Sequence, residues 1–206
     1  MAEVIGIMGG TFDPIHYGHL MAAEEAREAF DLEKVIFVPA GIPPHKVQGQ
    51  VTSPRHRYLM TLLAVMANPN FAVSRVDLDR GGVTYTVDTL TDLRTEYPDA
   101  TMYFITGADA ILEILTWKAP DQVLALAEFI AVTRPGYGLE RLAMALGPLY
   151  VPFKDRIHIL EVPPMGISST DLRRRLKTGR SIRYLVPETV ATYIYSEGLY
   201  GTGERG

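Results

Sequence analysis

Two histidines, His16 and His19, stand three residues apart in GGTFDPIHYGHL, Gly9 to Leu20, just where an apolar run gives way to a helical pattern. Side chains at that spacing share one face of a helix, and a helix start offers free N–H groups and the positive end of the dipole. Gly9 and Gly10, at the turn before them, let a ligand approach the backbone closely, and Gly18 removes a side chain that would crowd it. The combination suits an anion, in particular a phosphate that gains charge during reaction. Taken singly, His16 would read as a turn cap and His19 as a solvated helix residue; their shared glycine-rich strand end favours a site. A metal centre is the weaker reading, because the chain has no cysteine and no third ligand lies nearby in sequence, with spatial neighbours left open. The phosphate-loop string GxxxxGK followed by Ser or Thr is absent.

A second constellation lies about 150 residues downstream, Ile167-Ser168-Ser169-Thr170-Asp171-Leu172-Arg173. Its hydroxyls precede a helix expected from Asp171 to Lys177, so they and the free N–H groups there can hold phosphate oxygens, with Arg173 adding a planar cationic fork. The bland alternative is an ordinary helix cap followed by a basic solvated face, and Arg174, Arg175, Lys177 and Arg180 read as such a face.

These residues need a scaffold that brings them together. Short β-branched apolar runs recur at Val4 to Met8, Val35 to Val38, Met102 to Thr106, Phe129 to Thr133 and Ile157 to Val162, with three-to-four-residue helical patterns between several of them. The alternation predicts an α/β fold: a Rossmann-like, doubly wound, mainly parallel sheet with helices on both faces. In such a sheet ligands bind beyond the carboxyl ends of the strands. Gly9-Gly10, Pro39 to Pro44, Gly107 and Pro135-Gly136 fall at those ends and outline a pocket rim. The polar stretch Gly41 to Ser53 is expected to be a mobile loop, ended by Ser53 as N-cap with Pro54 at the first helical position. The tail GTGERG satisfies a G-x-G-x-x-G string through Gly201, Gly203 and Gly206, but no strand precedes it, so it is expected to fray.

With 206 residues, 47% apolar and 21% charged, the chain fits one domain over 1–206, its C-terminal helical part from about 168 packed on the rest. The opening residues lack a basic n-region and no stretch is long enough to span a membrane, so a cytoplasmic protein without a membrane partner is expected. The absence of cysteine excludes a disulfide framework and a thiol nucleophile. A net charge of -4 argues against a broad nucleic-acid surface and for no nucleic-acid partner, while leaving room for a local cationic pocket.

His16-Tyr17-Gly18-His19 together with the ISSTxxR element at Ile167 to Arg173 resembles the nucleotidylyltransferase superfamily. Further stretches are similar to its bacterial nicotinate mononucleotide adenylyltransferases: Pro43-Pro44-His45-Lys46, Ser53 with Arg57 and Met60, Thr84 to Leu90, Gly107-Ala108-Asp109 with Trp117, and Arg134-Pro135-Gly136. The likeness covers the chain apart from Tyr137 to Arg156, and Thr84 replaces a serine common in that family.

The resemblance implies attack by the phosphate of nicotinate mononucleotide on the α-phosphorus of ATP, forming nicotinate adenine dinucleotide and releasing pyrophosphate. The attacking phosphate is already ionised near neutrality, which fits the lack of an acid–base dyad. By resemblance His16, His19, Lys46 and Arg173 are the catalytic candidates, His19 stabilising charge at the α-phosphoryl group and Lys46 swinging in from its loop. The same likeness puts Gly9, Gly10 and Thr11 along the nucleotide phosphates and Ser168, Thr170 and Arg173 at the β and γ phosphates of ATP. For the mononucleotide it implies Thr86 at the carboxylate, Asp109 at a ribose hydroxyl, Trp117 stacked on the pyridine ring and Arg134 at a phosphate. Lys46 as a solvated loop cation and Trp117 as a core residue are the bland alternatives, and Tyr85 and Asp88 read as structural. Mg2+ is expected to be held mainly through substrate phosphates, with no protein metal ligand. Another acceptor (nicotinamide mononucleotide or phosphopantetheine), a non-catalytic nucleotide sensor and a homo-oligomer remain open on sequence alone.

Overall fold

The computed structural model describes residues 2–44, 51–133 and 144–204. Lys46, with 45–50 of the loop expected from Gly41 to Ser53, and Arg134, with the rim expected at Pro135-Gly136, lie outside the described residues. The described residues form a six-stranded sheet from β1 (Val4–Gly10), β2 (Lys34–Pro39), β3 (Phe71–Val73), β4 (Thr101–Gly107), β5 (Glu128–Thr133) and β6 (Ile157–Glu161). Neighbours pair in parallel in the order β3-β2-β1-β4-β5-β6, the doubly wound order whose reversal point lies between β1 and β4. The five strands expected from sequence are present with ends shifted by a residue or two. β3 was not foreseen, because three residues, Phe71 to Val73, are too few for a periodic signal.

Alternation along the strands explains the helices on both faces. Ile5, Ile7, Ile36, Val38, Phe104 and Phe129 point to one side and join a buried cluster with Leu90 and Leu93 of α4 (Thr86–Glu96), Ile111 of α5 (Ala108–Leu112) and Val123 of α6 (Pro120–Leu126). Met8, Val35, Phe37, Ile105 and Ile130 point to the other side and join a second cluster. Ala23 and Ala26 of α1 (Tyr17–Ala29) and Met60 of α2 (Pro54–Val65) complete it, with Leu172 and Leu176 of α7 (Ser169–Lys177) and Val190 and Ile194 of α8 (Glu188–Ser196). Short helix α3 (Val76–Arg80) sits between β3 and α4. At the start of α2, Ser53 caps the helix by accepting from His56 N–H at 3.4 Å, with Pro54 in the first turn, as its sequence foretells.

The tail departs from expectation. In its described part, Leu199–Glu204 forms a helical turn instead of fraying, held by the Tyr200 hydroxyl, which donates to the buried Asp13 Oδ1 at 2.7 Å, and by Thr202 Oγ1, which donates to the Leu199 carbonyl at 3.0 Å; Arg205 and Gly206 lie outside the described residues.

Candidate active site

The strand-to-helix segment after β1 is shaped by Phe12. Its φ of 50° lies in the left-handed region that a bulky residue rarely adopts, and this bend buries the ring edge-on against His19, centroids 5.2 Å apart. A Cβ on Gly10 would come within 2.8 Å of that ring, so glycine is required there. His16 then opens α1 as its N-cap, and the two imidazoles stack with centroids 3.8 Å apart and planes 22° from parallel. The His16 backbone N–H donates to His19 Nδ1 at 3.3 Å. With Nδ1 accepting, neutral His19 carries its proton on Nε2 and presents that N–H as a donor. His16 is 6% exposed, and its Nδ1 has no hydrogen-bond partner among the described residues. Burial lowers His16 from 6.5 to about 4, and burial with the neighbouring His16 lowers His19 to about 3, so both rings are neutral in the free protein at pH 7.

The second helix start meets this segment directly. Ser168 caps α7 by accepting from Asp171 N–H at 3.2 Å, and the Ser169 hydroxyl donates to the Pro14 carbonyl at 2.8 Å. Arg173 Nη1 donates to the Asp13 carbonyl at 2.7 Å while Nη2 reaches Thr170 Oγ1 at 3.3 Å. Ser168 and Thr170 are exposed and Arg173 is half-buried. Arg174 and Arg175 both pair with Asp171, and Arg174 is an exposed residue of the basic face foreseen from sequence.

Two clefts open at the carboxyl ends of β1 and β4 and share Gly9 and Thr106. The larger, about 680 Å³, is lined by His16, Gly18, His19 and Asp109 and extends to Ile167, the residue before the Ser168 cap. Ser168, Thr170 and Arg173 do not line it. The smaller, about 470 Å³, is lined by Gly10, Thr11, Thr86 and Trp117. Asp109 therefore stands on the wall shared with the histidines, apart from Thr86 and Trp117 with which it was grouped from sequence, while Gly10 and Thr11 border the Trp117 cavity. Trp117 is half-buried, its ring edge-on to Phe104 at 6.2 Å, so it both lines the cavity and packs on the core.

Thr86 is the first residue of α4, whose first intrahelical bonds run from Asp88 and Thr89 N–H to the Tyr85 carbonyl. The Thr86 N–H precedes them, at the positive end of the helix beside the smaller cavity. Lys118 and Tyr85, also on that wall, are tied together: Lys118 bonds Asp88 at 3.0 Å and lies 4.6 Å over the Tyr85 ring, so Tyr85, read from sequence as structural, also lines the cavity. Asp77, 2% exposed on the same wall, accepts from Thr89 Oγ1 at 2.7 Å and from Arg80; burial raises its carboxyl above the usual range.

Sequence reasoning gave no role to Arg57, which is 1% exposed. Its guanidinium donates to three main-chain carbonyls: Thr52 at 2.9 Å, Thr11 at 2.8 Å and Gly41 at 2.6 Å. Gly41 itself admits no side chain, since a Cβ would lie 2.7 Å from the Asp77 carbonyl oxygen. The only sequence signal for Arg57 was its place in the family resemblance, because an arginine in a helix otherwise reads as solvated.

Known proteins are similar to this chain over nearly its full length. The cytidylyltransferase-like family model matches residues 7–175. A probable nicotinate-nucleotide adenylyltransferase of Moorella thermoacetica is 58% identical, over 98% of this chain and 96% of its own length. One from a Thermoanaerobacter species is 53% identical over the same shares. Among solved structures, the Plasmodium falciparum nicotinic acid mononucleotide adenylyltransferase complexed with NaAD superposes with a TM-score of 0.74. That match has 22% identity and covers 96% of this chain and 97% of that one, a likeness of fold.

Proposed function

The chain belongs to the cytidylyltransferase-like family and, within it, to the nicotinate-nucleotide adenylyltransferases, and we propose that it moves adenylate from ATP to nicotinate mononucleotide. One observation supports the reading most: two clefts that meet at Gly9 and Thr106, one walled by the stacked imidazoles, the other by an aromatic ring and a helix start. A dinucleotide-forming enzyme needs two such sites, joined where the phosphates meet.

The larger cleft takes ATP. His16 and His19 face its phosphates, and the His19 Nε2–H donates to the α-phosphoryl oxygens as their charge grows. Asp109, on the same wall, receives a ribose hydroxyl of the adenylate side, and Gly9, Gly10 and Thr11 let phosphates pass close to the backbone between the clefts. Arg173, with Ser168 and Thr170, stands at the β and γ phosphates beyond the Ile167 edge, where the leaving group gathers. The smaller cleft takes the mononucleotide, its ring against Trp117 and its carboxylate at the N-terminus of α4 beside Thr86. Lys46 and Arg134 remain proposed cations for the substrate phosphates.

The mononucleotide phosphate oxygen forms a bond to the α-phosphorus as the bond to the β-phosphate oxygen breaks, and pyrophosphate leaves with that electron pair. No proton has to be removed from the nucleophile. Mg2+ would neutralise phosphate charge and enter on the triphosphate, taking its oxygen ligands from phosphate and water rather than from imidazole nitrogen. No helix among the described residues is long and apolar enough to cross a membrane.

The test is pyrophosphate release from Mg-ATP with nicotinate mononucleotide, nicotinamide mononucleotide and phosphopantetheine in parallel. Fastest turnover with the acid is expected. Faster turnover with another acceptor would reassign the smaller cleft, and binding of ATP without release in any mixture would leave a nucleotide sensor.

A further inference from the structure

Tyr200 sits in a backbone conformation that its side chain does not favour. Its φ is 58°, in the left-handed region, and Gly201 follows at 82°; such a conformation in a tyrosine costs about 1 kcal/mol or more and persists only where surrounding contacts hold it. The ring packs on the core, and its hydroxyl makes a polar bond to Asp13 Oδ1 at 2.7 Å, across 187 positions of chain. Burial and the charge of Asp13 raise this phenol far beyond its usual range, so it is always a donor.

Asp13 is 4% exposed and is gripped on every polar atom that can accept. Oδ1 takes Tyr200, Oδ2 takes the Thr52 N–H at 3.3 Å, and its carbonyl takes Arg173. The next carbonyl, of Pro14, takes Ser169. His16 follows two residues later, with its ring stacked on His19. Tyr200 itself lines neither cleft.

We infer that Tyr200 is a positioning residue for adenylate transfer: by holding Asp13 it sets where the His16 and His19 rings stand over the larger cleft. This rests on the function proposed above. The C-terminal turn thus belongs to the site through one hydroxyl, and small displacements of a charge-stabilising group carry large rate penalties.

The experiment is Tyr200→Phe in the full chain, which keeps the ring and removes the bond. kcat for dinucleotide formation should fall about 5- to 20-fold, with both KM values within about twofold of wild type. The side-chain nitrogen resonances of His16 and His19 should move in the free protein, while those of remote His158 stay. Tyr195→Phe, an exposed hydroxyl on α8, should change neither reading. In a double-mutant cycle, Asp13→Asn combined with Tyr200→Phe should cost less than the two singles added. Wild-type kcat with unmoved His16 and His19 resonances, even with lower thermal stability, would overturn the inference, as would additive losses in the cycle. A wild-type chain that forms no dinucleotide would instead overturn the function, and the imidazole resonances would still judge Tyr200.

Discussion

The imidazoles of His16 and His19 lie face to face, 3.8 Å between centroids, with the His16 backbone N–H fixing His19 Nδ1 as an acceptor. Two rings this close, one buried and one half-buried, cannot both carry a proton without mutual repulsion, so the free site holds neutral donors that an arriving triphosphate can charge.

The His19→Ala variant should fold normally and lose turnover by a factor of about 100 or more, the scale of one preorganised charge-stabilising group. Pyrophosphate release together with circular dichroism checks this. A folded variant with unchanged kcat would remove His19 from the catalytic set.

Stability should fall on the acid side. Both folded values lie below 6.5, so the unfolded chain binds protons first: the contribution is fully present above about pH 6.5 and is lost as pH falls from that value to about 4 for His16 and about 3 for His19. For His16 alone the loss is about 2 kcal/mol by pH 5. Urea midpoints at pH 7.5 and 5, compared with those of His16→Gln, should show the acid-side decline shrink in the variant.

Binding should take up protons. At pH 6.5 the free pair is neutral, and phosphate oxygens beside it favour the imidazolium form. Calorimetric enthalpies of ATP binding should therefore vary with the ionisation enthalpy of the buffer, and identical enthalpies in phosphate-free buffers of different kinds would contradict this.

Replacing Trp117 by alanine should raise KM for the mononucleotide about tenfold while leaving that for ATP near its original value. A loss of about 1 to 3 kcal/mol in stability should accompany it, because the ring also packs on Phe104. Equal changes in both KM values would make the residue core only.

For Arg57, lysine should not substitute. A single ammonium cannot serve the carbonyls of Thr11, Gly41 and Thr52 at once, so Arg57→Lys should cost about 2 to 4 kcal/mol in denaturant unfolding. An unaltered urea midpoint would show that the fork is dispensable.

What the sequence determined by itself was local. Strand ends, the two helix starts, the Ser53 cap and the imidazole pair were legible because each is written in residue types a few positions apart, and the parallel character of the sheet, though not its strand order, follows from alternating strand and helix patterns. Tertiary structure decided who meets whom. It put Asp109 on the histidine wall, brought Ser169 and Arg173 onto the Pro14 and Asp13 carbonyls, buried Arg57 against three carbonyls of two loops and bound the last turn to Asp13. Most of these links end on main-chain carbonyls, which every residue possesses, so no pattern of side chains announces them before the chain has folded.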